Sequence, residues 1–325
     1  MSGLIICHCF ILIYFLYRKL TQYEVYFFTK VSFRVSTKLS MKMALNPDRL
    51  INLTRYPIGI LGKDRDDLIA QISAELNQYG CAVLKNFLTP EGIAACIHEA
   101  DNVAAHGHHS YSRTNPYFTA EDTSLNADDP RRKFYERSNA FISADNFLEQ
   151  APLRTVFDCN GFDSFIRECL QIPEDRFFRY ADPLADVIVN MATEGNGFPW
   201  HFDTNNFTVT LALQNADEGG DFEYAPMIRT PECENFEEVS KVLSGSSKRV
   251  VNLKLEPGDL QLFKGRYSLH RVTPLRGNTP RYVAIFSYVE EPSMVGNVER
   301  TMQLYGKTLP IHHQQVSLRD DTLID

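Results

Sequence analysis

The chain has 325 residues, 44% of them hydrophobic, with 33 basic side chains against 41 acidic ones and a formal net charge of −8. That hydrophobic content supports a large buried core, while the acidic balance excludes a basic footprint for nucleic acid or an anionic membrane and leaves a small-molecule partner as the better fit. Cys7, Cys9, Cys81, Cys96, Cys159, Cys169 and Cys233 are odd in number and show no CxxC spacing. They read as reduced thiols of a cytoplasmic protein rather than as a disulfide framework.

Leu4 to Tyr17 (LIICHCFILIYFLY) is almost wholly apolar and is followed by Arg18 and Lys19. It falls short of the ~20 residues that a membrane span needs and lacks the charged start and the cleavage site of a secretory signal. An anchor through residues 4–17 and a cleaved targeting piece stay open. The preferred reading makes residues 1–42 an extension outside the working protein, because no helix or strand period runs from Thr21 to Ser40 and Met41 or Met43 would serve as starts. One domain is expected over residues 43–325.

From Asn46 the chain becomes patterned. Leu68, Ile69, Ile72 and Leu76 share helical spacing within Asp64 to Gly80, with acidic residues at the start and a glycine at the end. CAVLKNFL predicts a strand, and Thr89-Pro90-Glu91 predicts the capped start of a second helix. Ala105 to Pro130 is rich in His, Ser, Asn, Asp and Pro and predicts a long surface loop. Its HGHH run, His106 to His109, offers no fixed geometry to select an ion. After Arg179 come DVIVNMA, NFTVTLALQ, GDFEYA, RVVNLKL, GDLQLF, LHRVTPL and RYVAIFSYV, broken by Gly, Pro, Asn and Asp. Many short strands with such turns predict a mainly β fold with flanking helices, a sandwich or barrel. The phosphate and dinucleotide fingerprints of kinases and dehydrogenases do not occur.

The stretch WHFDTNNF, Trp200 to Phe207, carries a histidine and an aspartate two positions apart. In an extended segment His201 and Asp203 project to one side, and His270 in SLHRV is the best third partner. Two histidines and one carboxylate make the facial set used by non-haem Fe(II) oxygenases; by themselves, three such residues also occur in ordinary β proteins. Arg281 adds a second observation. Alternation puts Arg281, Val283, Ile285 and Ser287 on one face, and an inward guanidinium is costly unless an anion meets it. A dicarboxylate cosubstrate would supply that anion, since the planar fork matches a carboxylate. Arg276, in the turn LRGNTP, is a spare cation.

With His201, Asp203, His270 and Arg281 in this order, the chain from about Cys81 to Val289 resembles the Fe(II)/2-oxoglutarate-dependent oxygenases. RYADPLADVIVN, WHFDTNNFTVTLALQ, GGDFEYAPMIR and LQLFKGRYSLHRVTPLRGNTPRYVAIFSY are similar to the branch containing radical halogenases of free amino acids and related hydroxylases. The resemblance implies a double-stranded β-helix (jelly-roll) core over about residues 179–290, Fe(II) on His201, Asp203 and His270, and 2-oxoglutarate clamped by Arg281. It also implies oxidation of an unactivated C–H bond with release of succinate and carbon dioxide. The halogenases of this branch carry glycine where this chain has Asp203, so the departure points to hydroxylation. Asn190 is expected to hydrogen-bond the cosubstrate, and Trp200 to pack a pocket wall or the core. A free amino acid or derivative would need a cation and an acid, for which Arg137 and Glu136, and Arg229 and Glu223, are the candidates. Two other classes stay open, a protein-modifying hydroxylase of the same fold and an inactive jelly-roll binding module.

Overall fold

In the structure, a computed structural model that describes residues 45–314 and 323–324, a helical turn α1 (Pro47–Leu50) precedes the first long helix, α2 (Lys63–Tyr79). Asp64 and Asp66 occupy its first turn, where the helix dipole favours carboxylates. Ile72 and Leu76 are buried, and Gly80 ends the helix in the left-handed conformation with its N–H donating to the Leu76 carbonyl at 2.9 Å. β1 (Cys81–Leu84) follows at once. α3 (Pro90–Val103) then starts with the Thr89 hydroxyl accepting from the Gly92 N–H at 3.0 Å. The apolar stretch Leu4–Tyr17 and the expected boundary after residue 42 lie outside the described residues.

The segment Ala105–Pro130 is not one long loop. β2 (His108–Thr114) lies inside it and pairs antiparallel with β3 (Tyr135–Ile142), Ser112 opposite Arg137 and Ser110 opposite Asn139. Ser110 and Thr114 are buried while Tyr111 and Arg113 are exposed, so the strand alternates although its composition is polar. Strand formation here depends on the partner surface more than on intrinsic preference.

α4 (Pro152–Phe157), α5 (Phe162–Leu170), β4 (Phe178–Arg179), β5 (Val187–Ala192), β6 (Phe198–His201), β7 (Thr208–Gln214) and β8 (Phe222–Ala225) come next. They are followed by α6 (Phe236–Leu243), β9 (Val251–Leu253), β10 (Leu260–Phe263), β11 (Leu269–Val272), β12 (Arg281–Phe286), β13 (Tyr288–Val289) and α7 (Val298–Tyr305). The strands form a seven-stranded sheet, β1-β10-β7-β12-β5-β3-β2, a four-stranded sheet, β6-β11-β8-β9, and the pair β13-β4. Every pairing is antiparallel. This is the mainly β double-stranded β-helix expected from the resemblance. No helix among the described residues is long and apolar enough to cross a membrane.

β12 shows how the large sheet is used on both faces. Phe286 stacks on Phe157 of α4 with centroids 5.2 Å apart and meets Phe162 of α5 edge-on at 5.6 Å. The Tyr282 hydroxyl donates to Asp101 of α3 at 3.0 Å. These residues face the helices, so by the two-residue period Arg281, Val283, Ile285 and Ser287 face the other way. All four line the cavity between the sheets.

Candidate metal centre

His201 ends β6 and His270 lies on β11, and the antiparallel register sets the two residues opposite each other. Their ring centroids are 4.0 Å apart. Each Nδ1 donates to a backbone carbonyl two residues earlier, His201 to Pro199 at 2.8 Å and His270 to Ser268 at 2.9 Å. With those protons committed, each Nε2 keeps a lone pair, and its ring cannot turn without losing a bond. Asp203 Oδ1 lies 3.7 Å from His201 Nε2 and 3.4 Å from His270 Nε2. The three donor atoms fall within 4.8 Å of one another, and among the described residues no other group of histidines, cysteines and carboxylates does so. The His106–His109 run is therefore no metal cluster; His106 Nδ1 bonds the Asn146 side-chain oxygen at 3.0 Å.

Electrostatics favour the ligand forms. Burial, followed by the neighbouring His270, holds the His201 imidazole well below its usual range and therefore neutral. Burial alone would raise the Asp203 carboxyl, but His270, His201 and the Thr208 hydroxyl outweigh it and keep the group ionised. Two imidazole nitrogens and one carboxylate, with their donor atoms gathered on one side, fit Fe(II).

The Asp203 carboxylate is held by its surroundings. Its backbone N–H donates to the Gly265 carbonyl at 3.1 Å, and its Oδ2 accepts from the Thr208 hydroxyl at 2.5 Å. A Cβ at position 265 would lie 2.6 Å from Asp203 Cγ and closer still to Oδ2. Gly265 thus makes room for the carboxylate, and Thr208 leaves Oδ1 as the oxygen turned to the histidines. Gly265→Ala is expected to push Asp203 out of register and weaken metal binding by ~10–100-fold, the usual cost of losing support around a ligand. Metal titration followed by absorption would check this, and affinity equal to the parent's would remove Gly265 from that role.

Arg281, the first residue of β12, is 8% exposed, and no hydrogen bond or ion pair reaches its guanidinium among the described residues. Burial lowers it to about 10. An unpaired buried cation at the end of a cavity is the arrangement that an anionic ligand completes. Asn190, on the neighbouring β5 and opposite Val283, also lines the cavity. Arg276 is exposed, with its nearest acid, Glu218, 4.0 Å away.

The expected substrate residues do not come together. Arg137 of β3 is wholly buried beside the centre, its guanidinium 5.1 Å over the Phe198 ring, which lies 4.0 Å from the His201 ring. Its Nη2 donates to Ser110 Oγ at 2.7 Å, while Nε and Nη1 have no partner. Glu136 alternates to the other side of β3 and bonds the Tyr111 hydroxyl. Glu223 pairs with Arg271 at 2.6 Å. Arg229 donates to the Arg266 carbonyl at 2.5 Å, to Glu234 at 3.0 Å and to the Ile324 carbonyl at 3.2 Å. None of Glu136, Arg137, Glu223 and Arg229 lines the cavity; Glu223 and Arg229 each have an oppositely charged partner. Trp200, next to the inward His201, turns away into a core cluster with Tyr117, Phe202 and Leu269.

One cavity residue escapes the sequence reading. Arg300 lies in α7, whose Asn297 cap accepts from the Arg300 N–H at 2.7 Å. Its guanidinium stands 4.4 Å over the Phe118 ring and donates to Gln303 at 2.7 Å. Burial lowers it to about 10. Burial, with Arg300 as the second contribution, lowers Arg137 to about 9. Nothing in the spacing of the triad marks Arg300. The available signal is the NVERTMQLY helix with its asparagine cap.

A family profile described as Halogenase D matches residues 64–305. The chain belongs to the halogenase D family. It is accordingly an iron and 2-oxoglutarate oxygenase, with the His-Asp-His set in place to hold the metal. No curated protein sequence matches it. Among solved structures it is similar to a non-heme alpha ketoglutarate dependent epimerase, SnoN, from nogalamycin biosynthesis, at 14% identity over 69% of this chain and 84% of that one, TM-score 0.48. A prolyl hydroxylase from Trichoplax adhaerens, in complex with a hypoxia inducible factor peptide fragment, matches at 18% identity over 70% and 90%, TM-score 0.45. An oxidoreductase of the 2OG-Fe(II) oxygenase family from Burkholderia pseudomallei matches at 14% over 69% and 92%, TM-score 0.44.

Proposed function

We propose that this member of the halogenase D family is a hydroxylase: a dioxygenase that places oxygen from dioxygen on a small carboxylic acid, a free amino acid or a derivative, and releases succinate and carbon dioxide. Asp203 carries the reading. Its Oδ1 stands with the two imidazole Nε2 atoms as a third ligand. In the halogenating relatives that the sequence resembles, a glycine at this position leaves space for halide.

Bound Fe(II) with 2-oxoglutarate supplies the oxidising power for breaking a C–H bond. The residues of the chain supply placement. His201, Asp203 and His270 would hold the metal, Arg281 would pair with the far carboxylate of the cosubstrate, and Asn190 would hydrogen-bond it. Arg300, which lines the cavity, would meet the substrate carboxylate. The cavity holds about 260 Å³, and α7 lays Arg300, Thr301, Leu304 and Tyr305 along it. That size favours a small molecule over a polypeptide.

The family match favours a second reading, halogen transfer. A halide would meet both the space filled by Asp203 and its negative charge at short range. The expected product therefore gains one oxygen and no halogen, even in high chloride or bromide, and the oxygen derives from labelled dioxygen. Mass spectrometry of the turnover product decides between them, since a chlorine or bromine isotope pattern would overturn the hydroxylase reading.

A further inference from the structure

We infer that the substrate body beyond its carboxylate is uncharged and apolar, so that the reacting acid carries an aliphatic or aromatic chain and not a second ammonium group. The inference rests on the function proposed above and concerns the half of the cavity away from Arg281.

The walls there are apolar. Ile188 of β5 and Ile285 of β12 are cross-strand partners, and both line the cavity. Phe141, Ala185, Leu304 and Tyr305 line it as well and pack with them in one cluster. A methylene chain laid against these walls loses its water favourably. An ammonium group in the same place needs a carboxylate, because a buried unpaired charge is strongly disfavoured.

Among the described residues only two carboxylates line the cavity, Asp203 and Asp182. Asp203 belongs to the metal set. Asp182 is closed off, with its side chain 0% exposed. Its Oδ1 accepts from the Leu184 N–H at 2.8 Å, and its Oδ2 accepts from the Gly296 N–H at 3.0 Å. His312 Nε2 lies 3.1 Å from the same Oδ2. The Leu309 N–H donates to His312 Nδ1 at 2.8 Å, so the ring proton sits on Nε2 and points at Asp182. Both oxygens are thus committed to holding the chain before α7 and the turn after it. An incoming ammonium would have to break that set to reach a partner. The hydroxyl-bearing Ser287 and Thr301 also line the cavity; they tolerate a neutral chain and cannot neutralise a cation.

The test uses the full chain loaded with Fe(II) and 2-oxoglutarate. Succinate release is measured with L-leucine, L-norleucine and L-phenylalanine, with L-lysine and L-ornithine, and with the matching acids that lack the α-amino group. The thermal midpoint of the protein loaded with Zn(II) and 2-oxoglutarate is followed for each acid as a reading of binding without turnover. The apolar acids are expected to exceed the diamino acids in kcat/KM by on the order of 10²-fold and to be the ones that raise the midpoint. Lysine or ornithine matching or exceeding the apolar acids would overturn the inference while leaving the oxygenase reading intact. If no acid of any set raises succinate above the substrate-free level and none shifts the midpoint, the carboxylic-acid substrate of the proposed function fails, and this inference fails with it.

Discussion

His201→Ala and His270→Ala are each expected to abolish iron retention and succinate release together. The donor set has three members, with His201 and His270 opposite each other across β6 and β11 and Asp203 between them. Removing one imidazole leaves two ligands, and metal sites lose affinity steeply when a ligand is missing. Loss of a ligand should cost more than the ~10–100-fold typical of removing a group that only supports one. The fold should survive, because both rings line the cavity and each change removes one side chain from its wall. Metal content of purified protein, read beside the circular dichroism of each variant, checks this. A folded His270→Ala protein with the parent's iron content would refute the metal assignment.

Arg281→Leu is expected to raise the KM for 2-oxoglutarate by roughly 10²–10³-fold, corresponding to ~2–5 kcal/mol for leaving one buried carboxylate unpaired. The effect should fall on the cosubstrate and not on the metal, since Arg281 contributes no donor atom. Leucine keeps the apolar stem while removing the guanidinium that would answer the anion. Arg281→Lys should recover part of the loss, because an ammonium restores the charge but not the two-pronged hydrogen bonding of guanidinium. Steady-state kinetics with 2-oxoglutarate varied would show it. An unchanged KM in the leucine variant would move the clamp to another cation, although Arg276 is exposed on a turn and Arg300 stands near Asp203 and Phe118 instead.

Which parts of the site were legible in the residues follows from how locally each is specified. α2 and α3 could be read because their caps and apolar periods are contained in one turn or one face. His201 and Asp203 are near neighbours in sequence, and the cavity face of Arg281, Val283, Ile285 and Ser287 needs only the two-residue period of a strand. β2 could not be read, since its polar composition makes a strand only when β3 supplies the partner and an inner face. The position of Asp203 frames the chemistry from sequence, because His201 and Asp203 sit in one continuous motif.

Pairing with distant residues determined the rest. Glu136, Arg137, Glu223 and Arg229 look equivalent as charged residues in the sequence, yet Arg271, Glu234, Tyr111 and the Ile324 carbonyl engage three of them, while Arg137 makes one side-chain hydrogen bond, to Ser110. Arg300 joins the site only because α7 folds back along the cavity. Gly265 admits the Asp203 carboxylate from a position 62 residues later in the chain. Backbone periodicity is a local property that a sequence carries along its length. The neutralisation of a buried charge is a property of whichever groups the completed fold brings within hydrogen-bonding distance.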